Sequence, residues 1–284
     1  MDREFLIGVD INSKTITVGL VDLSGKIVKK MSIPSEISKG KKKVIDNIAN
    51  AVNRIKKNKI LGVGISVPGI VNREKGIVLE SPFAGWENLA LKKAVEDLVQ
   101  CPVFIESEGR CFTIAEYKCG TFRKIDNSIG VYFNDHISTG IMIDGKLAKG
   151  FGCAAGCVNH SVVDSKKTKL EEIASIAAIE KDFRAKTRKA KPINDIVASE
   201  TEKSAKEVLR TAGIHFGTAM SHVVNVLNPE MIIVGGPLGR SEEFISAAES
   251  TIQNKSNEIC GKRVKIVGSK MNDSTLLGAA SIII

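Results

Sequence analysis

Apolar and polar positions first alternate at strand spacing and then switch to helical spacing. Residues 5–10, 16–22 and 27–33 are β-rich runs, separated by the turn formers Asn12-Ser13 and Ser24-Gly25. This predicts an antiparallel meander. Val44, Ile48, Ala51, Val52 and Ile55 then recur at the spacing of one helical face, predicting an amphipathic helix. A strand over residues 60–67 ends at Pro68-Gly69. A helix over 91–99, a short buried strand over 103–106 and a helix over 109–117 follow.

The opening pattern then returns. Ile7-Gly8-Val9-Asp10-Ile11-Asn12 is matched by Ile129-Gly130-Val131-Tyr132-Phe133-Asn134, and Val21-Asp22-Leu23-Ser24-Gly25-Lys26 is echoed by Ile143-Asp144-Gly145-Lys146. A repeat of this kind predicts a duplicated α/β domain with a ligand cleft between the halves. The expected lobes are residues 1–120 and 121–284, with the last helix able to pack back on the first lobe. In the second half the pattern predicts a strand over 158–163, a helix over 169–181, a basic linker over 184–191 and a long helix over 207–226. A buried strand over 231–234 precedes Gly235-Gly236. A helix from Glu242, a strand over 264–267 and a closing helix over 276–284 complete the chain. His215 and His222 share one face of a largely apolar helix and read as packed or satisfied histidines rather than ligands.

With 284 residues, 43% of them hydrophobic, the chain can bury the cores of two lobes. No apolar run approaches the roughly 20 residues that span a bilayer. The first residues lead straight into a strand, so no signal peptide is expected. Six cysteines without a C-x-x-C pair read as reduced, mostly buried thiols of a cytoplasmic protein. Cys153 and Cys157 are four apart and could supply two metal donors, but no second pair accompanies them. The formal net charge is +9, with basic clusters over residues 39–43, 56–59, 166–169 and 184–191. Such patches can bind phosphates or nucleic acid. Here no aromatics interleave with them and no helix-turn-helix precedes the first strand, so they read as solvated faces and direct DNA binding is not expected.

Several stretches, in order, resemble the ROK family (repressors, open reading frames, kinases). They are Ile7-Gly8-Val9-Asp10, Gly19-Leu20-Val21-Asp22-Leu23-Ser24-Gly25-Lys26, Gly62-Val63-Gly64-Ile65-Ser66-Val67-Pro68-Gly69 and Gly85-Trp86-Glu87-Asn88. Ala115-Glu116-Tyr117, Gly140-Ile141-Met142-Ile143-Asp144-Gly145-Lys146, Asn228-Pro229-Glu230-Met231-Ile232-Ile233-Val234-Gly235-Gly236 and Leu277-Gly278-Ala279-Ala280 continue the series. The resemblance implies an α/β, two-lobed actin/hexokinase-like (ribonuclease H-like) fold of duplicated domains with an interlobe cleft. It also implies ATP and a sugar in that cleft, a carboxylate base, and in most members a zinc site that orders the sugar loop.

The positions this resemblance assigns to chemistry are altered. The family's first phosphate loop, Asp-x-Gly-Gly-Thr, reads Asp10-Ile11-Asn12-Ser13-Lys14, and its second, Gly-Thr-Gly, reads Asn134-Asp135-His136. Side chains stand where backbone N–H groups should meet phosphate. Asp135 beside a phosphate would cost on the order of a few kcal/mol. Gly235 and Gly236 complete the implied nucleotide side. The sugar ligand and base, Asn-Asp in the family, read Ser107-Glu108, and Glu108 carries its carboxylate about an ångström further out, a displacement worth about a hundredfold in rate. The family's Glu-x-Gly-His reads Cys157-Val158-Asn159-His160; Glu171 and Gly69 keep sugar-side positions. The cysteine-rich zinc loop is missing. These changes predict a non-catalytic protein that binds a sugar or related effector, with no cofactor and no zinc, and a homodimer as the family implies. The alternative is an ATP-dependent hexose or N-acetylhexosamine kinase using Mg-ATP, with Glu108 as base and Asp10 near the metal.

Overall fold

The computed structural model describes residues 4–57 and 59–284, and they divide into two compact units. The first comprises residues up to Arg123, Leu147–Ala155 and Asn272–Ile284; the second comprises Lys124–Lys146 and Gly156–Met271.

In the first unit, β1 (Phe5–Ile11), β2 (Thr15–Asp22) and β3 (Ile27–Pro34) form the expected antiparallel meander. β3 is the sheet edge and is largely exposed; Lys29 and Lys30 on it discourage pairing with another chain. α1 (Lys41–Ile55) buries Val44, Ile48, Val52 and Ile55, the face its spacing predicted, and β4 (Ile60–Val67) runs parallel to β1. β5 (Ile70–Asn72), β6 (Ile77–Ser81) and β7 (Trp86–Leu89) make a small separate sheet that the sequence pattern did not suggest. α2 (Leu91–Val99), β8 (Val103–Ser107) and α3 (Glu108–Cys119) follow, and β8 lies parallel to β4. The main sheet has the order β3-β2-β1-β4-β8.

The central strands are apolar on both faces because both faces are covered. Ile7, Val9 and Ile11 join a core with the buried face of α1. On the opposite face Leu6 and Val21 pack with Leu276 and Ala280 of the C-terminal helix, Ser274–Ser281. A Cβ on Gly64 would stand 1.7 Å from the Ala279 carbonyl oxygen, so glycine is what lets this helix lie against β4.

The second unit repeats the plan with β9 (Ser128–Phe133), β10 (Ile137–Ile143) and the two-residue β11 (Lys146–Leu147). Helices α4 (Leu170–Ala174), α5 (Ile176–Thr187), α6 (Ile193–Ala198) and α7 (Lys203–Leu227) follow. β12 (Met231–Gly235), α8 (Glu242–Lys255), α9 (Glu258–Arg263) and β13 (Lys265–Gly268) complete it. The order β11-β10-β9-β12-β13 mirrors the first sheet. Phe133, Phe216 and Phe244 meet at the core with ring centroids 5.4–5.5 Å apart.

Several local expectations are corrected. Residues 158–163 are not a strand: Val158–His160 is a single 3-10 turn, and only Val162 forms an isolated bridge, to Lys169. The run is apolar but Val162 is exposed, and Asn159 and Ser161 favour turns. The helix over 169–181 is broken at Ser175, which is extended and caps α5 by accepting from the Ala178 N–H at 3.3 Å. Residues 184–187 belong to α5 and not to a linker. Of the six cysteines only Cys111 is buried; Cys119 and Cys157 are exposed. His222 is exposed and His215 half-buried. Among the described residues no helix is long and apolar enough to cross a membrane.

Candidate ligand site

Two turns and one strand-to-helix junction carry most of the residues singled out by the sequence. Asp10 lies near the end of β1, paired with Thr17 of β2, and Asn12 and Ser13 form the turn that follows. The Asn12 side-chain oxygen, Oδ1, accepts from the backbone N–H groups of Lys14 at 3.0 Å and Thr15 at 2.8 Å, and from the Thr15 hydroxyl at 3.2 Å. The Asn12 N–H donates to the Thr15 carbonyl at 3.0 Å, and the Ser13 carbonyl accepts from Ser35 Oγ at 2.9 Å. An asparagine in this place makes its own turn, and the amides of Lys14 and Thr15 are taken up inside it.

At the end of β8, Ser107 leads into α3, and Glu108, the first helical residue, is fully buried. The Ser107 N–H donates to Glu106 Oε1 at 2.8 Å. The same oxygen pairs with Arg110 at 3.3 Å, both side chains being about 3% exposed. Burial pushes the Cys111 thiol well above its ordinary range, and the carboxylates of Glu106, Asp10 and Glu108 push it further. Gly69, in the bend between β4 and β5, has φ 133° and lies close over the Glu80 carbonyl of β6, while Ser81 Oγ donates to the Pro68 carbonyl at 2.5 Å.

In the second unit Asn134, Asp135 and His136 form the β9–β10 turn, with the Asn134 N–H donating to the His136 carbonyl at 3.2 Å. Gly235 pairs with Tyr132, and Gly236, at φ +76°, passes so close to Phe133 that a Cβ would meet its carbonyl oxygen at 2.0 Å. The structure thus brings these five residues together. Glu171 joins them from α4: its Oε2 accepts from the Ile137 N–H at 3.0 Å. Burial raises the Glu171 carboxyl, an effect the Ile137 amide opposes, and burial lowers the His136 imidazole, which Asp135 opposes. Cys157 and His160 are both exposed, on the 3-10 turn, where the His160 N–H donates to the Cys157 carbonyl at 3.1 Å. The Leu170 N–H donates to the Ser161 carbonyl at 2.9 Å, which joins this turn to the start of α4 beside Glu171.

A phosphate cradle needs backbone N–H groups turned outward. The β1–β2 turn does not fit that requirement, because the Lys14 and Thr15 amides donate to Asn12 Oδ1 and the Asn12 amide to the Thr15 carbonyl. Among the described residues no three His, Cys, Asp or Glu side chains gather to hold a metal ion. Sequence reasoning missed Glu106 and Arg110; the one available signal was their four-residue spacing at a strand-to-helix junction.

A protein-family model described as "ROK family" matches residues 6–284. A glucokinase of Thermotoga maritima is 28% identical, across 100% of this chain and 98% of its own length. A xylose repressor of Caldicellulosiruptor bescii is 27% identical, across 98% of this chain and 78% of its own length. Among solved structures, a ROK family glucokinase from Streptomyces griseus in complex with glucose and AMPPNP superimposes with a TM-score of 0.87 at 22% identity, covering 98% of both chains.

Proposed function

The chain belongs to the ROK family and has its actin/hexokinase-like fold, and from that premise we propose that it is a cytoplasmic sugar- or effector-binding regulatory protein that transfers no phosphoryl group. The observation that carries this reading is the Asn12 turn. Where the family uses glycines to offer amides to phosphate, Asn12 Oδ1 holds the amides of Lys14 and Thr15. Asn134-Asp135-His136 supports it at the second turn, with an exposed carboxyl where a nucleotide would carry negative charge. The residues this reading assigns to ligand recognition are Gly69, Ser107, Glu108, Cys157, His160 and Glu171. The protein acts as a homodimer, as the family resemblance implies.

Thermal melting with millimolar Mg-ATP tests the nucleotide side. A ligand at a hundred times its Kd stabilises by about 2.7 kcal/mol; the expected rise in Tm here is nil, and a rise of several degrees would refute the reading. Calorimetry is expected to detect a hexose or N-acetylhexosamine at high micromolar to millimolar Kd, because each lost hydrogen bond to a hydroxyl costs roughly 1 kcal/mol. Elemental analysis is expected to find no stoichiometric zinc.

One observation favours a second reading, an ATP-dependent sugar kinase. Glu108 is fully buried at the head of α3, a suitable place for a general base. A coupled ADP-release assay across a sugar panel separates the two. Background rates support the regulator, whereas turnover of any one sugar, abolished in Glu108→Gln, establishes the kinase.

A further inference from the structure

Arg110 has no role in either reading above, yet it is among the most completely enclosed charged side chains of the first unit, about 3% exposed. Its Nη1 pairs with Glu106, and its Nη2 donates to the carbonyls of Lys149 and Cys153, each at 2.9 Å. Both carbonyls lie in Leu147–Ala155, which belongs to the first unit although the residues before and after it belong to the second. Beyond Leu147 this stretch has no helix or strand. Its internal backbone bonds are long: the Ala155 N–H to the Lys149 carbonyl at 3.3 Å and the Cys153 N–H to the Gly150 carbonyl at 3.4 Å. Cys153 has φ 61°, a left-handed conformation that a non-glycine residue keeps only where its surroundings hold it there.

Burying a guanidinium is unfavourable unless its charge is paired and its donors are met. Glu106 supplies the charge and the two loop carbonyls supply acceptors, and Glu106 in turn accepts from the Ser107 N–H. The rigid fork of arginine can reach a carboxylate and two carbonyls at once; a lysine ammonium is a single point. One buried pair therefore joins the Ser107–Glu108 junction to the stretch that runs directly into Gly156–His160.

We infer that Arg110 is a positioning residue of the ligand site, holding Leu147–Ala155 to the β8–α3 junction and so fixing the start of the segment that carries Cys157 and His160. What the segment serves rests on the sugar-binding reading; the clamp itself does not.

The test compares wild type with Arg110→Lys and Glu106→Gln by hydrogen exchange and by calorimetry with D-glucose and N-acetylglucosamine. In Arg110→Lys, peptides covering residues 147–156 are expected to exchange about tenfold faster or more, with α7 unchanged. The Kd of whichever sugar the wild type binds is expected to rise about tenfold. Glu106→Gln, which keeps an acceptor for Ser107, is expected to fall between. Unaltered exchange over 147–156 in folded Arg110→Lys overturns the clamp, and a lowered Tm with unaltered sugar affinity reduces Arg110 to a structural residue and overturns the positioning role. If Arg110→Lys does not fold, native-state exchange of the wild type decides. The Cys153 and Ala155 amides are expected to open with the denaturant dependence of α3, and opening independent of denaturant overturns the inference. If the wild type binds neither sugar, the ligand reading fails while the exchange rates still decide for or against the clamp.

Discussion

At Asn12 a single carboxamide oxygen takes donors from two backbone amides and a hydroxyl. Asn12→Ala leaves those donors to water at a part-exposed turn, so the expected cost is about 1–2 kcal/mol, measured as a lower urea midpoint at unchanged m. Two other residues of the candidate site bend the pH profile in opposite senses. His136 is held below its ordinary 6.5 by burial. As pH falls below that value the unfolded chain takes up a proton the folded one refuses, and stability drops. Glu171 is raised above its ordinary 4.5; the folded chain keeps its proton longer, and stability drops as pH rises through that interval. Urea midpoints between pH 4 and 8 are expected to show a flatter acid limb in His136→Asn. Glu171→Gln, which still offers an acceptor to Ile137, is expected to gain stability at neutral pH and none below 4.5. The altered turns could be read from sequence because a missing glycine shows at a fixed place in an ordered motif. The hold of Arg110 on residues 147–155 could not, because the two carbonyls it meets lie 39 and 43 positions away and carry no side-chain identity.

Among the elements, α1 begins with three lysines and no acidic residue in its first turn, which sets positive charge against the positive end of the helix dipole. Glu36 offsets it from outside the helix. Lys39 first, then Asn47 and Lys43, hold its carboxyl at about 2. That contribution is complete above 4.5 and disappears as pH falls through about 2; Glu36→Gln removes it at neutral pH, with faster exchange of the first α1 amides as the expected sign. The C-terminal helix depends on a different device. Gly64→Ala would drive a Cβ into the Ala279 carbonyl, with an expected loss of about 3 kcal/mol or more, read as a large drop in Tm. The strands β1 to β4 and the helices α1 and α7 followed the apolar period, which burial on one or two faces imposes directly. The small β5–β6–β7 sheet and the break at Ser175 did not, since strands of three to five residues are too short to show a period and a cap rests on a single local side chain.

For the whole molecule, the repeated motif pointed to duplicated domains, and the two sheets share one strand order. Chain order and compact unit nevertheless differ. The second unit lies within the first in sequence, and the first is completed only by Asn272–Ile284. A fragment of residues 1–123 lacks the helix that covers Leu6 and Val21; it is expected to show no cooperative thermal transition by circular dichroism, and to gain one when a peptide of residues 272–284 is added. The same arrangement sets a schedule at the ribosome. At translation rates of roughly 5–20 residues per second, the first sheet waits on the order of ten seconds for its last helix. The nested unit, made in between, is free to fold first, and in that interval the uncovered glycine face of β1 and β4 is the surface a chaperone would have to shield.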